Sequence, residues 1–369
     1  MKNNKSSLKI RQQDILRNFH RGSKIKTWSE VPVSNKNVIK KFKTPKSFLE
    51  LRVTSGSTGL PLYVFYSKQA VHHFISRAIK SLKKSGVAKD DIVLNLFAYG
   101  NYVPGSMYEK ACQKMDISVI PLGAPNTYPK DKMIEAIKKI RPNVWLSVPS
   151  YAISLLNLLA QEKKSRYFPK KIIVAGERLL DSYTDTFKRY GIEVINHFGL
   201  TECPAIGVSK KDDPQKITVI SNGIYVEAIE IKNLKHLVVT DLYNLATPII
   251  RYKTGDILDN VKYNRNGSLK EFEIINRSDD LIKVQGILTS KTKIIDSLLK
   301  FTDQFMVYIK TNNDRDLVEI FIDNKVKKKE AEINETLNFL KNKKIIFQKN
   351  IDASKTSSYK NKYIADLRK

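Results

Sequence analysis

The chain has 369 residues, 41% apolar and 28% charged, which excludes a mainly disordered protein and is more than one small core needs. Its 65 Lys and Arg against 37 Asp and Glu leave a net charge of +28, so a polyanionic partner is expected: nucleic acid, a membrane surface, a nucleotide or an acidic protein. Cys112 and Cys203 are too few for a disulfide framework, no apolar run nears the ~20 residues of a membrane span, and the basic N-terminus lacks a leader's apolar stretch; a cytoplasmic protein without membrane insertion is expected.

Residues 1–50 carry 13 basic and 3 acidic side chains with little periodic apolar pattern, which reads as a solvated basic arm (residues 1–30) leading into the first domain, or as a contact surface for an anion. Over residues 68–86, Val71, Phe74, Ala78, Ile79 and Leu82 recur at helical spacing and Gly86 ends the pattern. Segments 92–97, 117–122, 144–148, 171–175 and 193–195 read as buried strands, with helices predicted at 129–140, 150–162 and 181–190. Such alternation predicts a mostly parallel sheet covered on both faces. After Glu202 the pattern changes to antiparallel strands at 217–220, 225–231 and 237–240. Beyond Arg277 a smaller α+β unit is predicted: a helix at 292–301, strands at 306–310 and 317–323, a basic helix at 325–342 and a strand at 344–348. The fold class is therefore α/β. A large N-terminal domain, residues 1–278, has mostly parallel sheets, flanking helices and a β-rich subdomain; the stretch 277–286 joins it to a small α+β domain, residues 279–369.

Five segments can carry chemistry. Thr54, Ser55, Gly56, Ser57, Thr58 and Gly59 interleave four hydroxyls with two glycines, so their O–H and backbone N–H groups can surround phosphate oxygens, although polar linkers have the same composition. No Lys follows Gly59, so this is not a Gly-x-x-x-x-Gly-Lys loop. His197, Phe198, Gly199, Thr201 and Glu202 follow an apolar strand; an acid there can hold Mg²⁺ and Phe198 can stack on a purine, or the acid is incidental. The Gly-Asp corner at Asp256 suits paired ribose hydroxyls, and a simple β-turn explains it equally. Arg277, beside Asp279 and Asp280, offers a planar guanidinium to a ribose or phosphate, or belongs to a solvated linker. The Lys-rich stretch 354–363 offers a point charge for developing negative charge, or a solvated tail.

In their order and spacing these segments resemble the adenylate-forming enzymes, the superfamily of acyl-CoA ligases and peptide-synthetase adenylation domains, and within it the phenylacetate–CoA ligase branch with its capsule-biosynthesis relatives. Residues 54–59 resemble that family's phosphate-binding loop, 197–202 its aromatic-Gly-x-Thr-Glu signature, 252–256 its ribose-binding Thr-Gly-Asp, 277–286 its hinge and 355–360 its catalytic-lysine loop. Residues 98–105, 119–123, 148–151 and 174–177 are similar to the branch's substrate-side segments. Leu62 stands where many members have Lys, Ser354 where Pro is usual, and Asn276 and Tyr359 where Gly is usual; Lys360 fits the catalytic lysine best, with Lys362 as fallback.

The resemblance implies an AMP-forming acid–thiol ligase that uses ATP and Mg²⁺. It places residues 54–59, Gly176, Glu177, His197, Phe198 and Gly199 on ATP, Glu202 on Mg²⁺, and Thr201, Glu202 and Lys360 at the chemistry. Asp256 and Arg277 would grip the ribose, Asp279 would be the hinge, and Lys283 and Gly286 would face the acceptor. Tyr99, Gly100 and Tyr102 would line the pocket of a small aryl or apolar carboxylic acid. CoA or an acidic phosphopantetheinyl carrier protein is the implied acceptor. An adenylyltransferase or amide- or ester-forming relative with a non-thiol acceptor stays open, and a nucleic-acid-binding or catalytically degenerate protein is the least favoured reading.

Overall fold

The computed structural model describes residues 28–54, 61–284, 287–312, 315–349, 351 and 363–367. The chain forms two compact units, one comprising Met1–Leu179 and Gly191–Ile275, the other Leu180–Tyr190 and Asn276–Lys369.

The first unit opens, after a short helical turn at Lys36–Ile39, with an antiparallel hairpin of β1 (Glu50–Val53) and β2 (Tyr63–Tyr66). Helix α1 (Lys68–Lys84) follows. Ser67 caps it by accepting the Ala70 N–H at 3.2 Å, two lysines in its last turn suit the helix dipole, and Ala70, Val71, Phe74, Ile75, Ala78 and Leu82 form its buried stripe. Then strands and helices alternate: β3 (Ile92–Asn95), α2 (Val103–Gln113), β4 (Ser118–Ile120), α3 (Lys130–Ile140), β5 (Val144–Ser147), α4 (Pro149–Gln161), β6 (Lys171–Val174) and β7 (Glu193–Phe198); between β6 and β7 the chain forms α5 (Asp181–Arg189), which belongs to the second unit. The five strands pair in parallel in the order β4-β3-β5-β6-β7. All four residues of β5 are buried, so both faces of the sheet are covered, as the alternation predicts.

From β7 the same sheet becomes antiparallel. Strands β8 (Gly207–Ser209), β9 (Lys216–Val219), β10 (Ile224–Ile231), β11 (Leu234–Asp241), β12 (Tyr252–Tyr263) and β13 (Leu269–Arg277) extend it in the order β7-β8-β9-β13-β12-β11-β10.

Several expectations need correction. Helix α2 escapes the periodicity because Pro104 and Gly105 fall in its first turn and read as loop, yet proline there gives up only an N–H with no helical partner. The corner before Asp256 is not a turn. The β11–β12 register slips between Val238↔Lys253 and His236↔Ile257, with Gly255 at φ +92°, so Thr254, Gly255 and Asp256 form a bulge inside a strand.

In the second unit, a hairpin of β14 (Leu281–Val284) and β15 (Ile287–Ser290) leads into α6 (Lys291–Leu299). Its sheet runs β18-β17-β16-β19, from β16 (Phe305–Asn312), β17 (Arg315–Asp323), β18 (Lys343–Gln348) and β19 (Ile364–Asp366). Val307, Ile309, Val318, Ile320, Ile322 and Leu298 are fully buried between sheet and helices. The predicted basic helix 325–342 is instead a 3₁₀ turn, Asn324–Lys329, followed by the short helix α7 (Glu330–Thr336). Lys327, Lys328 and Lys329 offer no apolar face to bury, whereas Ile333, Leu337 and Leu340 beyond them are buried in the core.

Candidate active site

In parallel sheets ligands gather at the carboxyl edge, where the strand order reverses. Here β4 and β5 lie on opposite sides of β3, which makes that end of β3 and β5 the switch point. The pairings Asn95↔Leu146, Ser147↔Val174 and Val174↔Asn196 align the strand ends in one row. Every segment singled out between residues 96 and 202 leaves the sheet from this row. The loop after β3 carries Tyr99, Gly100 and Tyr102, that after β5 leads to Tyr151, that after β6 carries Gly176 and Glu177, and that after β7 carries Gly199, Thr201 and Glu202.

The turn after β7 is tightly held. Phe198 ends the strand and meets Phe272 edge-on at 5.8 Å. Gly199 is required by close approach, since a Cβ there would lie 2.6 Å from the Ala205 nitrogen. The Leu200 N–H donates to the Cys203 carbonyl at 3.0 Å, and the Ile206 N–H to the Phe198 carbonyl at 2.8 Å. Glu202 is only 5% exposed, and the Tyr252 hydroxyl donates to its Oε1 at 2.8 Å. A second buried phenol, Tyr66, donates to the Thr201 carbonyl; burial, then the neighbouring Glu202 and Cys203, hold its pKa well above the usual phenol range. Arg77, fully buried, donates through Nε and Nη2 to the Pro204 carbonyl at 3.1 and 2.9 Å and lies 3.5 Å from Asp241. Thr201 stays half-exposed beside the buried acid.

The base of the proposed phosphate loop is fixed although Ser55, Gly56, Ser57, Thr58 and Gly59 lie outside the described residues. The Thr54 N–H donates to the Leu62 carbonyl at 3.0 Å and its Oγ1 accepts the Leu62 N–H at 3.0 Å. Leu62 is 2% exposed, so a lysine at this place would bury its stem in the core. Arg52 ties this hairpin to the loop after β3, donating to the Gly100 carbonyl and, at 2.8 Å, to Ser106 Oγ.

Other expected site residues take definite places. Tyr99 packs back on the fold, its hydroxyl accepting from Asn95 Nδ2 at 2.9 Å. Tyr102 is the residue before α2 and is half-buried. Gly176 turns the chain out of β6 at φ +81°. Glu177 accepts the Ser150 N–H at 3.3 Å at the start of α4, a favourable place for an acid. Asp256 is 2% exposed on the β12 bulge.

His197 does not belong to the ligand side. Its Nε2 lies 2.7 Å from Ser85 Oγ and its Nδ1 2.7 Å from the Tyr108 hydroxyl. Ser85 already donates to the Ser81 carbonyl at 2.8 Å, so Nε2–H donates to Ser85 and Nδ1 accepts from Tyr108. Burial pushes its pKa down to about 3. Both ring nitrogens are engaged by internal hydroxyls, which leaves neither as a hydrogen-bonding group for a nucleotide.

In the second unit Arg277 donates through Nε to Asp279 at 3.0 Å, and both side chains are over a third exposed. Lys283 is exposed on β14. Gly286, Lys360 and Lys362 lie outside the described residues.

Tyr66 and Arg77 are supporting residues that sequence reasoning did not single out, and Tyr252, which opens the expected ribose-binding segment, turns out to brace Glu202. For Arg77 a signal exists: a charge within the apolar stripe of α1, three residues after Phe74. Tyr66 reaches the turn from 135 residues away and leaves no local signal. Among the described residues no group of three His, Cys, Asp or Glu side chains stands ready for a metal. A divalent ion here would use Glu202 with nucleotide phosphates, the habit of Mg²⁺ rather than of a protein-caged ion.

The sequence pattern of the AMP-binding enzyme family matches residues 5–236, more than half of the chain. The phenylacetate–coenzyme A ligase of Pseudomonas putida is 25% identical over 297 residues, which cover 74% of this chain and 66% of that enzyme. The Escherichia coli enzyme of the same name is 22% identical over 271 residues, covering 69% of this chain and 60% of that one. The chain therefore spans less than two-thirds of these relatives' length. A 2-hydroxyisobutyryl-CoA ligase crystallised in the postadenylation state with its acyl-AMP shares the fold, with a TM-score of 0.80 at 16% identity over 99% of this chain and 90% of that one. No helix among the described residues is long and apolar enough to cross a membrane. With the site's segments in place along one sheet edge, the match over 232 residues settles the family: this chain belongs to the AMP-binding enzymes.

Proposed function

We propose that the chain is an ATP-dependent carboxylate ligase that forms an acyl-AMP and passes the acyl group to the thiol of CoA. The observation that carries this reading is the braced turn after β7, with buried Glu202 and half-exposed Thr201 at the carboxyl edge of a switch-point sheet. The names of the relatives support it, since those matched are CoA ligases.

In the first half-reaction a carboxylate oxygen attacks the α-phosphorus, the bond to the bridging oxygen breaks, and pyrophosphate leaves with the electron pair. Two anions must meet, so positioning and positive charge outweigh acid–base chemistry. Thr54 and the loop 55–59 hold the β- and γ-phosphates, Thr201 hydrogen-bonds the α-phosphate, Phe198 and Gly176 border the adenine, and Asp256 and Arg277 hold the ribose. Glu202 would hold Mg²⁺, which would supply positive charge for the leaving pyrophosphate. Lys360 bridges carboxylate and α-phosphate. In the second half-reaction the thiolate sulfur attacks the acyl carbon, and AMP leaves with one oxygen of the original acid. Residues 279–369 turn about Asp279 between the two steps, bringing Lys283 and Gly286 to the acceptor side.

Tyr99, Tyr102 and Tyr151 support an aryl or medium apolar acid, because aromatic walls suit flat apolar ligands. The test is carboxylate-dependent exchange of labelled pyrophosphate into ATP over a panel that includes phenylacetate. Lys360→Ala is expected to lose exchange by at least about 10²-fold while still binding ATP. Full exchange in that variant would overturn the lysine's role. Mass spectrometry of the products, with CoA and an acyl carrier protein both present, then shows which thiol takes the acyl group.

A further inference from the structure

Arg251 is buried and adopts φ +41°, a left-handed conformation that a residue with a side chain rarely holds and that tends to mark functional places. Its guanidinium is fully engaged. Nη1 donates to the carbonyls of Ser29 at 2.8 Å and Val31 at 2.7 Å, and Nε and Nη2 face Glu227 at 3.3 and 3.2 Å. Trp28 Nε1 donates to the same Glu227 carboxylate at 3.2 Å, and its ring meets Tyr225 edge-on at 5.9 Å. The segment 28–34 is thus strapped across the sheet by one arginine–glutamate pair.

The strap then pairs with β12 at the residue that braces Glu202. Ser34 bridges Tyr252 in parallel: the Ser34 N–H donates to the Arg251 carbonyl at 2.9 Å, the Lys253 N–H to the Ser34 carbonyl at 2.9 Å, and Ser34 Oγ to the Ile250 carbonyl at 2.7 Å. Tyr252 is therefore gripped through the backbone on both sides while its hydroxyl holds Glu202 Oε1 at 2.8 Å. The Arg251 N–H, bound to Thr240 Oγ1 at 2.9 Å, fixes the kink from the neighbouring strand.

We propose that Arg251 is a positioning residue: by clamping the strap 28–34 against β12 it orients Tyr252 on the Glu202 carboxylate and so sets the affinity of that carboxylate for metal-bound nucleotide. This rests on the reading of Glu202 as the acid that meets Mg²⁺. Groups that orient a metal's carboxylate typically change its affinity 10–100-fold when removed.

The test compares Arg251→Lys, which keeps a charge beside Glu227 but cannot hold two carbonyls and a carboxylate together, with Tyr252→Phe and the double variant. Hydrogen exchange of the Ser34 and Lys253 amides reports the strap; calorimetry with ATP, in EDTA and in Mg²⁺, reports the nucleotide site. Arg251→Lys is expected to speed exchange at both amides and weaken Mg·ATP binding roughly tenfold, leaving metal-free ATP binding unchanged. Tyr252→Phe is expected to weaken Mg·ATP similarly with less effect on exchange, and the double variant to weaken it no further, because both act through one contact. Trp28→Phe, which removes only one bond to Glu227, is expected to shift both readouts in the same direction by less, and serves if Arg251→Lys does not fold. A loosened strap with wild-type Mg·ATP affinity, or effects that multiply in the double variant, overturns the proposal. Wild-type protein that binds no ATP in either buffer overturns instead the reading of the site.

Discussion

His197 carries no charge in the fold because burial removes water from the ring and both nitrogens meet neutral hydroxyls. The folded state refuses a proton down to about pH 3, whereas an unfolded histidine accepts one near pH 6.5. Below pH 6.5 the unfolded chain thus binds more protons, so this residue's contribution is complete above that pH and is lost as pH falls toward 3, by up to about 1.4 kcal/mol per unit. His197→Gln is expected to flatten that part of the stability profile in urea titrations at pH 4, 5, 6 and 7. An unchanged slope would contradict the neutral buried ring. The residue sits one place before Phe198 on the same strand, and alternation alone puts the two on opposite faces. A reading of the motif as one contiguous block places both on the nucleotide; the pleat separates them.

At the scale of elements, the turn after β7 depends on α1 and β12 for its shape. Arg77 reaches from α1 to the Pro204 carbonyl and pairs with Asp241, whose Oδ1 also accepts the Tyr243 and Asn244 N–H groups at 2.9 and 3.1 Å. Removing one partner of such a buried pair leaves a charge without compensation, so Arg77→Met is expected to cost about 3–5 kcal/mol by chemical denaturation. Adding Asp241→Asn is expected to recover part of that loss; a fully additive double variant would show that the two do not act as a pair. Much of the alternation from α1 to β7 is legible in the sequence because the inner strands bury short apolar runs and the amphipathic helices repeat at 3.6 residues. Strand β4, expected as a buried strand, instead lies at the sheet edge with Ser118 exposed and Val119 and Ile120 half-buried. The same logic misses α2, whose Pro104 and Gly105 mimic a loop, and the bulge at Asp256, whose residues are those of a turn. The candidate site is legible in its loops and not in its braces. Tyr66 and Arg251 act across 135 and 222 residues of chain with no local pattern to record the pairing, and Arg77, acting across 127, shows itself only as a charge within the apolar stripe of α1.

For the whole molecule, the +28 charge first suggests any polyanion, and the proposed function narrows it to a nucleotide. The surplus of residues 1–50 does not lie in the strap that Arg251 holds: residues 28–34 carry no Lys or Arg and one acid, Glu30. The proposed division of labour gives the first unit the nucleotide and acid, and the second the lysine and the hinge. The central claim is that the acid attacks the α-phosphorus of ATP. It is tested most directly with a carboxylic acid labelled with ¹⁸O in its carboxylate, turned over with ATP, Mg²⁺ and CoA. The account requires AMP that carries one ¹⁸O, delivered when the thiol displaces it from the acyl group. Unlabelled AMP, or ¹⁸O found in inorganic phosphate beside ADP, would contradict it.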